Sequence, residues 1–219
     1  VRAVSEDDEG NLWIGTAGGL NILNAGSGEM SYYGFAENDR NALSNLSIWT
    51  IMKDAQGTMW IGSYYGGIDY CNTGSDRFAY YEFRKESGNA YSLVSDIAKD
   101  RAGNLWIGTE GNGLVKLDPS GTVTFVDADF SAYNIKALKY NPKGNYLWVG
   151  THQGGLYKYM IDSGGCERYV VNSTQMTVRS ESVQDMEISR GYMYLGTLQG
   201  VFRMNLSTEE IEPVPALNR

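Results

Sequence analysis

The sequence predicts an all-β chain in which one four-stranded unit is used five times. Three observations carry that reading. A Gly-rich hairpin pattern returns along the whole length: Gly10–Gly19 reads GNLWIGTAGG, Gly57–Gly67 GTMWIGSYYGG, Gly103–Gly113 GNLWIGTEGNG, Gly144–Gly155 GNYLWVGTHQGG and Gly191–Gly200 GYMYLGTLQG. The aromatic at its centre stands at Trp13, Trp60, Trp106, Trp148 and Tyr194, in steps of 47, 46, 42 and 46 residues, a period that belongs to stacked or radial repeats. Finally, 27 Gly and 16 Tyr with only 4 Pro suit short strands and tight turns, because Gly supplies positive φ and Tyr suits a pleated, half-buried surface.

Each repeat divides into four strand candidates. In the second they are Ser47–Lys53, Met59–Ser63, Gly67–Cys71 and Arg77–Phe83, joined by the turns DAQG, YYGG and NTGSD. The first turn recurs at Asp7–Gly10, Asp54–Gly57 and Asp100–Gly103. There the Asp accepts backbone N–H bonds and the Gly takes positive φ at the end of a tight hairpin. Asn141 and Gly144 keep this spacing with Asn in place of Asp. The second strand, Leu12–Thr16 and its counterparts, is apolar on both faces apart from one Gly, so it is expected to be covered on both sides.

A sheet covered on both faces by copies of itself is what radial packing produces, so the chain reads as a β-propeller of four-stranded antiparallel blades. The Gly after the aromatic pair (Gly15, Gly62, Gly108, Gly150, Gly196) is expected to leave room for the next blade. Trp13, Trp60, Trp106 and Trp148 are expected in the core between blades. The fourth repeat carries an extra residue, Tyr146, which implies a bulge or a longer turn. The fifth has Tyr194 in place of Trp and a hairpin shorter by about one residue. The expected organisation is a single partial propeller domain over 1–219, with repeats at about 1–46, 47–94, 95–134, 135–182 and 183–219. Because the chain opens in the middle of a repeat, it reads as a piece of a longer polypeptide.

Charge and composition exclude some partners. The formal net charge is −8 without a basic cluster, so nucleic acid is not an expected partner. No apolar run approaches the roughly 20 residues needed to cross a bilayer, and no membrane insertion by this stretch is expected. Cys71 and Cys166 fall in different repeats and are expected to be unpaired, half-buried small hydrophobes. With a single His, a multi-His metal site is excluded, and neither DDEG (7–10) nor DSGG (162–165) has the ligand count of a calcium loop. No metal and no cofactor is expected.

The stretches IWTIMKDAQGTMWIGSYYGGI (Ile48–Ile68) and DIAKDRAGNLWIGTEGNGL (Asp96–Leu114) resemble the two-component regulator propeller repeat. NALSNLSI (Asn41–Ile48) and, more loosely, NAYSLVSDI (Asn89–Ile97) resemble that family's inter-blade linker. The resemblance covers all five repeats. It implies the periplasmic sensor region of a hybrid two-component receptor of Bacteroides-like bacteria, in which two seven-bladed propellers precede a β-sandwich, a membrane helix and a kinase. It thus implies remaining blades or a second propeller as partners, and a receptor homodimer. Five repeats leave two alternatives open, an excised arc of a seven-bladed propeller or a ring closed at five.

In such a blade the turn between strands two and three lies on the same face as the linker, and variable tips on a fixed frame are how a scaffold carries recognition. The turns offer Ala17, Tyr64, Tyr65, Glu110, Asn112, His152, Gln153, Leu198 and Gln199, and the linkers offer Asn38, Asp39, Arg40, Asn41, Asn45, Ser87, Asn89, Tyr91 and Tyr133. From these the candidate ligand-binding set is Arg40, Asn45, Tyr64, Tyr65, Glu110, Asn112, His152 and Gln153, converging on one mouth. Aromatic rings offer flat apolar faces and amides, Arg and acids satisfy hydroxyls, so the expected ligand is an oligosaccharide, with Arg40 placed to grip a uronate or sulfate. No catalytic residue is assigned. The alternatives are a sialidase-like glycosidase, since D-x-x-G-x-x-W loosely matches an Asp-box hairpin, and a protein-interaction platform. Against the glycosidase, Arg77, Arg84, Arg168 and Arg203 read as outer-strand residues, leaving no axial Arg cluster.

Overall fold

The computed structural model describes residues 1–37, 39, 41–72, 78–81, 83, 93–169, 171 and 182–214. These form twenty strands in five four-stranded antiparallel sheets, with no helix among the described residues. The first sheet runs β1 (Ala3–Glu6), β2 (Leu12–Thr16), β3 (Gly19–Leu23), β4 (Met30–Tyr33). The second is β5 (Ile48–Lys53), β6 (Thr58–Ser63), β7 (Gly67–Asn72), β8 (Ala79–Tyr81), and the third β9 (Leu93–Lys99), β10 (Leu105–Glu110), β11 (Gly113–Leu117), β12 (Val123–Phe125). The fourth is β13 (Ile135–Asn141), β14 (Tyr146–Thr151), β15 (Gly155–Met160), β16 (Cys166–Tyr169), and the fifth β17 (Val183–Ser189), β18 (Tyr192–Thr197), β19 (Gly200–Asn205), β20 (Ile211–Pro213). Strands follow one another in sequence order within every sheet. The chain groups into two compact units, Val1–Ile97 and Ala98–Arg219.

In the first three sheets the first hairpin is closed by its Asp, in a way that reaches beyond the turn itself. Asp100 accepts from the Ala102 and Asn104 amides at 2.9 Å each, from Asn104 Nδ2 at 2.8 Å and from Trp106 Nε1 at 2.9 Å. Asp7 and Asp54 make the equivalent indole bonds to Trp13 and Trp60, both at 2.9 Å. Gly10, Gly57 and Gly103 sit at φ 82°, 80° and 86°, the left-handed region that a Cβ disfavours. In each of the three the Asp thus ties the turn to an indole six positions further on.

The fourth and fifth hairpins depart from this plan. In the fourth, positive φ falls on Asn145 (50°) and not on Gly144. The extra residue Tyr146 is absorbed by pairing opposite Asn141, so it makes a longer paired hairpin and no bulge. Asn141 Nδ2 donates to the Tyr146 hydroxyl at 2.8 Å, and Trp148 Nε1 is left buried with no hydrogen bond to a carboxylate. The Tyr146 ring meets that indole edge-on, at 5.5 Å and 90°. In the fifth, only Arg190 and Gly191 separate the strands, where four or five residues do so elsewhere. Their φ values of 49° and 83° are those of a two-residue type I′ hairpin, and by register the hairpin is one residue shorter, as expected: Glu187 pairs with Tyr194 where Ser5 pairs with Trp13 and Met52 with Trp60.

Packing between sheets within each unit follows the repeat. In the first unit Trp13 and Leu20 pack with Ile48, Met59, Ile61, Cys71 and Phe78. In the second, Trp106 and Leu114 join Ile135, Leu138, Leu147 and Tyr157, while Trp148 and Leu156 join Val183, Met186, Leu195 and Phe202. Trp13, Trp106 and Trp148 are buried as expected. Trp60 is only half-buried, a correction: it stacks on Tyr70 of its own sheet at 5.1 Å and does not belong to the first unit's core cluster. The conserved-spacing glycines do admit a neighbour. A Cβ at Gly15 would stand 2.6 Å from Ile48 Cγ2, at Gly62 2.5 Å from Val94 Cγ1, and at Gly150 2.9 Å from Val183 Cγ1. At Gly196 the nearest atom would be the carbonyl of Asp185, in its own sheet, at 3.6 Å. Neither Cys71 nor Cys166 is in a disulfide.

Candidate functional site

The turns between second and third strands are closed from beneath. Thr16, Ser63, Thr109, Thr151 and Thr197 each donate a hydroxyl to the carbonyl of Gly19, Gly67, Gly113, Gly155 and Gly200, at 2.7 to 3.4 Å. In the first and fifth sheets two residues bridge the strands, with Gly19 and Gly200 at φ 122° and 127°. The three middle sheets place three residues above the hydroxyl. Their central positions are left-handed: Gly111 at 101°, but Tyr65 at 68° and Gln153 at 67°. A non-Gly residue there costs about 1 kcal/mol, and strain of this kind gathers where side chains are presented for use.

In the first unit Tyr64 and Tyr65 stand together, rings 4.0 Å apart at 65°, with the Tyr65 hydroxyl donating to that of Tyr64 at 3.0 Å. That bond holds the Tyr65 phenol above its ordinary pKa. Tyr64 continues to Trp49 at 6.4 Å, and the Arg2 guanidinium lies over the Trp49 ring at 4.4 Å. Arg2 Nη1 also donates to Ser47 Oγ at 2.7 Å, and the Tyr64 amide to the Ser47 carbonyl at 2.8 Å. Asn45 serves its own loop by accepting from the Ser47 amide at 2.9 Å. Arg40 lies outside the described residues, as do Asn38, Ser87, Asn89 and Tyr91 of the linkers and Arg77 and Arg84.

Trp49 and Arg2 were not among the expected site residues. Trp49 is the extra residue of a register break between Ile48 and Thr50, and a bulge re-aims the side chain it carries. The same break sets Lys136 between Ile135 and Ala137 and Gln184 between Val183 and Asp185. Simple two-residue alternation conceals such positions; the extra residue shows only once the pairing is known.

The second unit holds the other candidates. Glu110 is ion-paired with the bulge residue Lys136. His152 donates its amide to the Asn134 carbonyl at 2.8 Å and its Nδ1 lies 3.3 Å from Ser182 Oγ, which also accepts from the Gln153 amide at 3.0 Å. Gln153 itself is exposed. Asn112 is buried and does not project as a tip. Gln184 Nε2 is buried without a hydrogen-bond partner. Arg168 is on the outermost strand as expected and donates from Nε to the Gly154 carbonyl at 2.7 Å, whereas Arg203 lies on β19, the third strand, with its guanidinium paired to Glu212. The candidates thus fall into two groups, Asn45, Tyr64 and Tyr65 in one unit and Glu110, Asn112, His152 and Gln153 in the other.

A groove of about 670 Å³ lies at the other end of the fourth and fifth sheets, lined by Tyr140, Asn141, Tyr146, Ile188 and Leu206 among others. It includes none of the candidates. Among the described residues no three His, Cys, Asp or Glu side chains could hold a metal ion together, and no helix is long and apolar enough to cross a membrane.

Comparison with known proteins bears on the fold and the repeat. The family model described as two component regulator propeller matches residues 1–18, 42–65 and 88–111. No curated protein matches the chain. Among solved structures, the extracellular domain of the B. thetaiotaomicron hybrid two component system BT3049 aligns over 100% of this chain and 29% of its own, with 23% identity and a TM-score of 0.77. That of BT4673, from the same organism, aligns over 92% and 26%, with 24% identity and a TM-score of 0.76. The chain therefore spans less than a third of the length of either. Virginiamycin B lyase from Staphylococcus aureus aligns over 97% and 69%, with 14% identity and a TM-score of 0.74. At these identities the likeness is one of fold. With three matched hairpins and five four-stranded meanders, the chain carries two-component regulator propeller repeats, folded as blades of a β-propeller.

Proposed function

We propose that this chain is a non-catalytic, extracytoplasmic ligand-binding part of a two-component receptor, and that its ligand is an oligosaccharide. The observation that carries the reading is the ledge formed by Tyr64, Tyr65 and Trp49 with Arg2 at its end. Tyr65 is kept on it in a backbone conformation that a bulky side chain disfavours. Rings offered face and edge at a turn tip suit the apolar face of a sugar, and a guanidinium beside them suits a hydroxyl or a carboxylate. Within the second unit, Glu110, Lys136, His152 and Gln153 offer polar side chains of the kind that hydrogen-bond sugar hydroxyls. The matched repeat and the two sensor structures support the receptor context, in which further blades of the parent chain and a second receptor subunit are the partners.

Calorimetric titration with neutral and uronate-containing oligosaccharides tests this. Wild type binds one class weakly, and a Tyr64→Ala, Tyr65→Ala double variant of unchanged melting temperature loses at least about 1 kcal/mol of that affinity. Equal affinity in the double variant would refute the site. Release of shortened sugar or an unsaturated product from the same incubations would refute the non-catalytic reading.

A further inference from the structure

Asp69 stands where three of the other four sheets place core hydrophobes and the first places the half-buried Asn21, opposite Ile14. It pairs with Ile61 of β6, and the residues in the same register are Val115 opposite Ile107, Tyr157 opposite Val149 and Phe202 opposite Leu195. It is fully buried. Its carboxylate accepts two bonds from one residue, from the Ser44 amide at 2.9 Å and from Ser44 Oγ at 2.8 Å. Burying an acid in such a place is costly unless it is well bonded, so the position calls for a role beyond packing.

Ser44 is where that role leads. It opens the short linker in which Asn45 accepts from the Ser47 amide, and Ser47 in turn accepts the Tyr64 amide on its carbonyl and Arg2 on its hydroxyl. The turn also touches the linker directly, since a Cβ at Gly66 would stand 2.5 Å from Ser44 Oγ and 2.8 Å from Asn45 Cβ. An unbroken run of contacts therefore joins Asp69 to the ledge. We propose that Asp69 is a positioning residue that latches the Ser44–Ser47 linker beneath the Tyr64–Tyr65 turn, firm when the carboxylate is ionised and loosened when it takes a proton. Its meaning for recognition rests on the ledge being the ligand site.

The latch can titrate in a useful range. Burial pushes the Asp69 carboxyl up to about 7, against the opposing pull of the two Ser44 bonds. Besides Asp69, the titratable side chains on its own strand and on the two strands paired with it are Tyr70 and Cys71 on β7 and Tyr80 and Tyr81 on β8, a thiol and three phenols, and no amine or second carboxylate is among the causes of its shift. Ionised, the group accepts both Ser44 donors with charge assistance; protonated, it keeps one bond as a neutral acceptor and must place its own proton.

Amide exchange at Ser44, Tyr64 and Gly66 of the whole chain, corrected for intrinsic rate, tests the latch without any ligand. Protection at these amides should fall about tenfold from about pH 8 to about pH 5.5, while the Ile61 amide in the strand core stays protected. Asp69→Asn and Ser44→Ala should give low, pH-independent protection at the turn, and Ser44→Thr, which keeps the hydroxyl, should restore the wild-type profile. A flat wild-type profile, or Ser44→Ala leaving the turn as protected as wild type, overturns the proposal, and either reading stands even if Asp69→Asn does not fold. A responsive turn in a protein that binds no oligosaccharide would leave the latch intact and remove only the sugar.

Discussion

Trp106 and Trp148 occupy equivalent positions in adjacent sheets of one unit, yet one indole N–H is bonded to a carboxylate and the other is not. Trp106 Nε1 donates to Asp100 at 2.9 Å, and Trp148 Nε1, whose repeat carries Asn141 in place of the Asp, makes no such bond to a carboxylate. Replacing each by Phe removes similar ring area from sites exposed by only 2% and 0%, which alone costs about 1 kcal/mol. Trp106→Phe also strands one acceptor lobe of a buried carboxylate, adding about 1.5 to 3 kcal/mol for a bond to a charged group. Trp148→Phe strands no carboxylate, so that addition is absent. Urea unfolding should therefore place Trp106→Phe about 2 kcal/mol below Trp148→Phe, with similar m-values. Both rings sit in the second unit, so both report on the same transition. Equal costs for the two variants would refute the claim that the Asp–indole bond holds the hairpin to the core.

Two further outcomes follow from the packing and from Asp69. Gly62→Ala should destabilise by about 2 kcal/mol or more, because its Cβ meets Val94 Cγ1 at 2.5 Å and Thr50 Cγ2 at 2.6 Å, overpacking with little space to yield. Gly196→Ala, with nothing nearer than 3.6 Å, should shift the melting temperature little. For Asp69 the raised carboxyl means that the unfolded chain loses its proton first. Its contribution to stability is therefore greatest below the ordinary value of 3.8 and is lost as pH rises to about 7, at most about 4 kcal/mol. Asp69→Asn should flatten the pH dependence of chemical unfolding and be more stable than wild type at about pH 8, even as it loosens the turn.

Much of the fold was legible because the packing repeats as the sequence does. Gly15, Gly62 and Gly150 recur since each receives a β-branched residue from the next sheet, and Thr16, Thr109 and Thr151 recur since each closes a turn. The Asp–indole bond was open to reading too: Asp and Trp keep a six-residue spacing in the first three repeats, the fourth loses the Asp, and the fifth loses both. What escaped were features that interrupt a period. Trp49, Lys136 and Gln184 each sit at a register break, so alternation assigns them to the wrong face. Asn145 took the left-handed turn position in place of Gly144, because one inserted residue moved it. Of the candidate residues, the turn positions of Tyr64, Tyr65 and Gln153 were readable from the repeat spacing alone. Arg2 was not, because only pairing places the start of the chain beside Trp49, and the burial of Asn112 belongs to a turn whose exposed corner is Gly111.

The hydroxyl-to-glycine closure beneath each turn separates what is said from what holds it. Ser63, Thr109 and Thr151 are fully buried and fasten the strand ends before the chain reaches residues 64–66, 110–112 or 152–154. Residues 64–65 and 152–153 sit above that fastening, whereas Gly66 and Gly154 have no room for a side chain, since a Cβ there would stand 2.3 Å from Ser63 Oγ and 2.6 Å from Thr151 Oγ1. Tips of this kind are interchangeable parts: Tyr64-Tyr65-Gly66 could be transplanted onto Thr151 and Gly155, and a lineage could exchange one specificity for another by rewriting two codons while the sheets below stay as they are.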